Sequence, residues 1–119
     1  TGSPQREFMH VDDLAEAVVF ALEKWDPSKN DAPKDDIGNP LTYLNVGTGN
    51  EISIMKLSEK IATILNYEGK IFWDHTKPDG TPRKLLNIDK IKLLGWEPKI
   101  NLDKGIADTI ESFREEYFN

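Results

Sequence analysis

The sequence predicts a mixed α/β (α+β) chain of about three short strands and four helices, and three observations lead to it. Apolar side chains recur at the helical period in three long stretches and one short one. Short runs of strand-forming residues lie between them. Each change of element falls at a cluster of Gly, Pro, Asn, Asp or Ser. Three strands are too few for a complete doubly wound sheet.

Residues 6–11 (REFMHV) read as a strand entering a helix over 13–25, with Asp12 and Asp13 placed to accept from its first free backbone N–H groups. Leu14, Ala17, Val18, Ala21, Leu22 and Trp25 make one apolar stripe, and Glu16 follows Asp13 as a capping-box partner would. Residues 26–41 hold almost no apolar side chains and are expected as an exposed loop. A buried strand over 42–46 (TYLNV) then ends in Gly47-Thr48-Gly49. Ser53 caps a helix over 54–66, whose stripe is Ile54, Leu57, Ile61, Ile64 and Leu65 and whose stop lies between Asn66 and Gly69. Residues 70–73 (KIFW) read as the third strand, and KPDGTPRK at 77–84 as a shaped loop. A short helix over 88–94 is capped by Asn87 and ended by Gly95. The final helix, 102–117, aligns Leu102, Ile106, Ile110, Phe113 and Tyr117.

A chain of 119 residues and 13.5 kDa fits one domain that removes roughly two-thirds of its unfolded surface from water. With 38% apolar and 30% charged residues, no apolar run near the ~18 of a membrane span and no basic-then-apolar leader, the reading is soluble and cytoplasmic, with no membrane partner. Fifteen Lys and Arg against 21 Asp and Glu give a net charge of -6, which repels a polyphosphate, so no nucleic-acid partner is expected. The absence of cysteine excludes a disulfide scaffold, a zinc ribbon and a thiol nucleophile within these residues. The chain starts at Thr1 and its first methionine is Met9, so it is expected to be a piece of something longer.

Gly47-Thr48-Gly49 begins like a dinucleotide fingerprint, but Ile52 stands at the third glycine position, so no cofactor-binding residue is assigned. No tyrosine is followed four residues later by lysine, and no nucleophile-elbow, Walker or H-E-x-x-H motif is present. His10 and His75 lack metal-ligand spacing, so no metal is expected.

Two constellations could bind a ligand. Arg6, just ahead of the first strand, offers a planar fork to a phosphate or carboxylate; a surface pair with Glu7 explains the same residue equally well. Between 77 and 92, five basic residues (Lys77, Arg83, Lys84, Lys90, Lys92) face two acidic ones (Asp79, Asp89), a local +3 within a chain of -6. That patch would draw an anion, with Asp79 as an acceptor beside the cations and two prolines restricting the loop. An ordinary solvated turn is the plainer account of it.

QREFMHVDDLAEAV, LNVGTG, SIMKLSEKIATILNYEGKIFWD, KPDGTPRKLLN and LGWEPKINLDKGIADTIESF, in that order, resemble the C-terminal part of the GDP-L-fucose synthase family. These are extended short-chain dehydrogenase/reductases, also described as GDP-4-keto-6-deoxy-D-mannose epimerase/reductases. REFxHVDDLA and NVGTG mark the superfamily, whereas KPDGTPRKLL followed by LGW marks the family. The resemblance implies the small substrate domain of an enzyme whose N-terminal Rossmann domain binds NADPH and carries the catalytic groups, and which pairs as a homodimer. It implies four substrate-binding residues: Arg6 and Lys84 on the GDP diphosphate, Asp79 accepting from nucleoside donors, and Arg83. None of the family's catalytic residues falls within this sequence, so the chain alone is expected not to turn over. The first strand and helix and the LNVG strand would lie against the cofactor domain, so an isolated piece would expose apolar surface. The equivalent domain of another sugar-nucleotide epimerase or dehydratase is an alternative that nucleotide preference would separate. A non-enzymatic module binding an anion or a protein through 77–92 is another.

Overall fold

In the computed structural model, which describes residues 1–118, three two-residue strands form one small sheet. The central strand β1 (Gln5–Arg6) pairs antiparallel with β2 (Ile52–Ser53), Gln5 opposite Ser53 and Arg6 opposite Ile52. On its other side β1 pairs in parallel with β3 (Arg83–Lys84), Gln5 beside Arg83 and Arg6 beside Lys84. Four helices complete the chain: α1 (Val11–Lys24), α2 (Ile54–Ile64), α3 (Asp89–Leu93) and α4 (Leu102–Phe118).

The class, the helices and the number of strands match the expectation; the places of the strands do not. The first strand ends at Arg6 rather than 11, and neither 42–46 nor 70–73 joins a ladder. Leu44 and Val46 still pack on the core, but no neighbouring strand among the described residues takes up their backbone hydrogen bonds. Phe72 is exposed. The real strands arise in the approach to α2 and inside the 77–84 loop, at places with no strand pattern of their own, because the neighbour and not the composition makes a ladder of this length.

The helix ends show a second correction. His10, not Asp12 or Asp13, caps α1, its Nδ1 accepting from the Asp12 N–H at 3.3 Å. Asp13 is buried and reaches across the molecule: its carboxylate accepts from the Lys99 N–H at 3.1 Å and the Ile100 N–H at 2.9 Å. Glu16 pairs with the Lys99 ammonium instead of closing a capping box. Ser53 caps α2 as expected, accepting from the Lys56 N–H at 3.1 Å. Asn87 accepts from the Asp89 N–H at 2.8 Å at the start of α3, and Gly95, at a φ of 103°, ends it.

The core is Ala17 of α1, Ile88, Ile91 of α3 and Trp96, closed by Met9, Phe20, Leu44 and Val46. A second packing joins α2 to α4, where Leu57 and Ile61 share an apolar groove with Leu102, Ile106 and Ile110, and Lys60 pairs with Asp103. The expected α1 stripe is split. Ala17 is fully buried, whereas Val11, Leu14, Val18 and Leu22 face solvent, Leu22 with 82% of its surface exposed. The molecule is a slab of 56 × 39 × 17 Å with a radius of gyration of 18.1 Å, against about 13–14 Å for a compact chain of this length. Its accessible surface of 8827 Å² exceeds by roughly a third the ~6,500 Å² of a compact monomer of this mass. The fold therefore buries less than a self-sufficient domain would.

Candidate functional site

The sheet brings the scattered basic residues together. Partners in register project to the same face, so Arg6 and Lys84 stand side by side while Arg83 faces the other way with Gln5. Arg6 borders a hollow of about 300 Å³ whose wall includes Gly2, Trp73, Lys77, Asp79 and Gly80. Its guanidinium is half-buried and donates from Nη1 to the Gln5 carbonyl at 2.6 Å. The turn at Pro78-Asp79-Gly80 closes against it: a Cβ on Gly80 would lie 3.3 Å from Arg6 Nη2. Among the described residues none of Arg6, Lys77 and Lys84 is in an ion pair, while Lys60, Arg83, Lys92, Lys99 and Lys104 all are. These cations keep their charge available for a ligand.

Asp79 occupies the rim. Its carboxylate accepts from the α-amino group of Thr1 at 2.8 Å, from the Thr1 hydroxyl, and from the Ser3 hydroxyl at 3.4 Å. The Thr1 ammonium, and then the Thr1 hydroxyl, hold Asp79 below the usual carboxylate range, so it is an anionic acceptor at neutral pH. Arg83 belongs elsewhere. It donates from Nε to Glu51 at 2.6 Å, and that hydrogen bond with its charge raises the guanidinium pKa further. Arg83 borders a separate shallow hollow with Asn87 and Lys92.

Three residues of this region went unassigned in the sequence reading. Lys77 was visible only as one of the charges of the 77–92 patch. Trp73 carries a strand-like signature, yet it forms a wall of the hollow, packed on Gly2 so closely that a Cβ there would sit 2.6 Å from the ring. Glu7 was expected at most as a surface partner of Arg6, and it is bound elsewhere. Its Oε1 accepts from the N–H groups of Thr48 at 2.7 Å and Gly49 at 2.6 Å, and its Oε2 accepts from the Leu86 N–H at 3.2 Å. A Cβ on Gly47 would come 2.6 Å from Oε1, so a side chain there would displace the carboxylate. The Gly-Thr-Gly turn thus cradles an anion after all, but one supplied by its own chain.

Comparison with known proteins shows what the sequence and the fold are similar to. The model of the NAD dependent epimerase/dehydratase family matches residues 1–37. GDP-L-fucose synthase 1 of Arabidopsis thaliana is 42% identical over 119 residues, covering 100% of this chain and 33% of the relative. Among solved structures, a GDP-6-OMe-4-keto-L-xylo-heptose reductase from C. jejuni superposes with a TM-score of 0.86 at 33% identity, over 98% of this chain and 32% of that one. MlghC, a GDP-mannoheptose C4 reductase from Campylobacter jejuni with NADP bound, gives a TM-score of 0.78 at 31% identity, over 96% and 33%. The chain spans about a third of the length of the relatives it matches, and over that third it is a homologue of the GDP-L-fucose synthases.

Proposed function

We propose that this homologue of the GDP-L-fucose synthases is the C-terminal, substrate-binding part of a longer enzyme that converts GDP-4-keto-6-deoxy-D-mannose to GDP-L-fucose. That conversion takes two epimerisations, at C3 and C5, and an NADPH-dependent reduction at C4. The observation that carries the reading is that Arg6 and Lys77, both free of ion pairs among the described residues, line the hollow that Asp79 rims, with Lys84 beside Arg6 in the ladder. A GDP-sugar offers a diphosphate for the cations and base or ribose donors for the carboxylate. In this arrangement Arg6 and Lys84 anchor the diphosphate, Lys77 adds a third positive charge, and Asp79, whose Thr1 ammonium partner is an uncharged peptide nitrogen in the longer enzyme, accepts from the nucleoside side. Arg83, engaged by Glu51, stays outside the set.

NADPH does not fit the one glycine-rich turn of these residues, because the amides that would meet its pyrophosphate are bound by Glu7. We therefore assign the nicotinamide cofactor, the proton transfers and the hydride step to the remainder of the enzyme. The part of this chain is to hold the nucleotide and so present the sugar to that remainder. The same remainder accounts for the bare face of α1 and the unpaired backbone at 42–46, both of which it would cover. A cytoplasmic homodimer completes the proposal.

Calorimetric titration tests it. The chain, and a full-length counterpart, are titrated with GDP and a GDP-sugar, with UDP and ADP as controls. Selective binding of the guanine nucleotides, weakened about tenfold or more by Arg6→Ala, is expected. Equal binding of UDP would favour another sugar-nucleotide epimerase. Absence of nucleotide binding by the full-length protein would overturn the reading.

A further inference from the structure

We infer that Glu7 is the positioning residue of the anion site, setting the strand register that makes Arg6 and Lys84 neighbours. The inference rests on the nucleotide-sugar reading of that site. Each of the two ladders flanking β1 is two residues long, and the flanking backbone bonds lie on its N-terminal side or at its start: the N–H of Gln5 to the Pro82 carbonyl, of Ile54 to Pro4 and of Met55 to Gly2. Past Arg6, no backbone hydrogen bond outside the ladders ties residues 7–9 to either neighbour among the described residues. The Glu7 carboxylate makes those ties instead. One oxygen holds the Thr48–Gly49 turn that leads to β2, and the other holds Leu86, two residues beyond Lys84.

Register matters here more than in a long ladder. A slip of one residue turns every side chain of a strand to the opposite face. Were β3 to slip against β1, Lys84 would leave the face of Arg6 and the diphosphate would lose one of its two anchors. A carboxylate fastened to both neighbours immediately after Arg6 forbids the slip. Gly47 belongs to the same device, because its missing side chain is what lets the carboxylate reach the turn. Glu7 itself need not touch the ligand.

The test uses the full-length enzyme with Glu7→Gln, Gly47→Ala and the double variant. Glutamine keeps the shape but turns one acceptor into a donor facing donors. Alanine at 47 attacks the same contact from the backbone side and displaces the end of a flexible side chain, so one soluble variant suffices. Each is expected to raise KM for the GDP-sugar about ten- to a hundredfold, with a smaller change in kcat. The double variant is expected to be no worse than the worse single, because both break one contact. A purely structural Glu7 would lower the melting temperature and leave KM of the folded enzyme unchanged, and that result overturns the inference. Arg6→Ala and Lys84→Ala, measured alongside, separate the two failures. If they raise KM while Glu7→Gln does not, the inference alone is wrong; if none does, the nucleotide-sugar site is wrong and the inference falls with it.

Discussion

Helices α1 and α2 carry apolar stripes of similar strength and meet different fates. Leu57 and Ile61 of α2 lie under α4, whereas Leu14, Val18 and Leu22 of α1 stand in solvent while the other side of the same helix buries Ala17 and Asp13. A stripe at the helical period tells that a face is apolar; it does not tell which molecule or segment covers it. Contiguous exposed apolar surface marks an interaction site, and on α1 the proposed partner is the rest of the enzyme.

Substitutions on the covered and bare sides should separate cleanly. Ile91→Ala, at a fully buried position beside Ala17 and Trp96, is expected to cost about 2–5 kcal/mol in denaturant unfolding of the chain. Asp13→Ala, which removes a buried acceptor from the part-buried N–H groups of Lys99 and Ile100, should cost about 1–3 kcal/mol in the same measurement. Ile61→Ala on α2 should cost about 1 kcal/mol or more, while Leu22→Ala on α1 changes stability by less than about 0.5 kcal/mol in this chain. In a full-length enzyme the Leu22 substitution should become the costly one of the two. If it stays silent there, the bare face is not a domain contact.

The smallest effect concerns acid. Asp79 is held below the usual carboxylate range by Thr1, so its tether to the N-terminal segment is complete above about pH 4 and is lost as pH falls through its lowered value. An NMR titration should place the Asp79 midpoint below that of a free aspartate. The chemical shifts of Thr1 and Ser3 should move with it. A midpoint at or above the ordinary value would remove the tether from the account.

The helices were legible because 3.6-residue periodicity, Ser53 as a cap and Gly95 as a stop are local signals. The sheet was not. Ile52–Ser53 and Arg83–Lys84 become strands only because β1 lies between them, and TYLNV, with the composition of a strand, lacks a neighbour among the described residues. Arg6 stood out as a fork for an anion and Asp79 as the acceptor in a basic loop, the motif resemblance gave both a substrate role, and the structure brings both to one hollow. Arg83 and Lys84 are adjacent in one motif, and only the pleat of β3 separates the ion-paired residue from the one beside Arg6. Glu7 was hidden because its partners are backbone amides, which leave no trace in residue type.

The central position of β1 also sets the order of events when the chain is made. Gln5 and Arg6 leave the ribosome well before their parallel partner, and Glu7 and Leu86 are 79 positions apart. The helices can form locally in the meantime, but the sheet closes only over long loops, so its closure comes late and slowly. Until then a nascent chain carries Arg6 and Glu7 without their counterparts. Assembly of the ligand face is in that sense the final act of folding, not its seed.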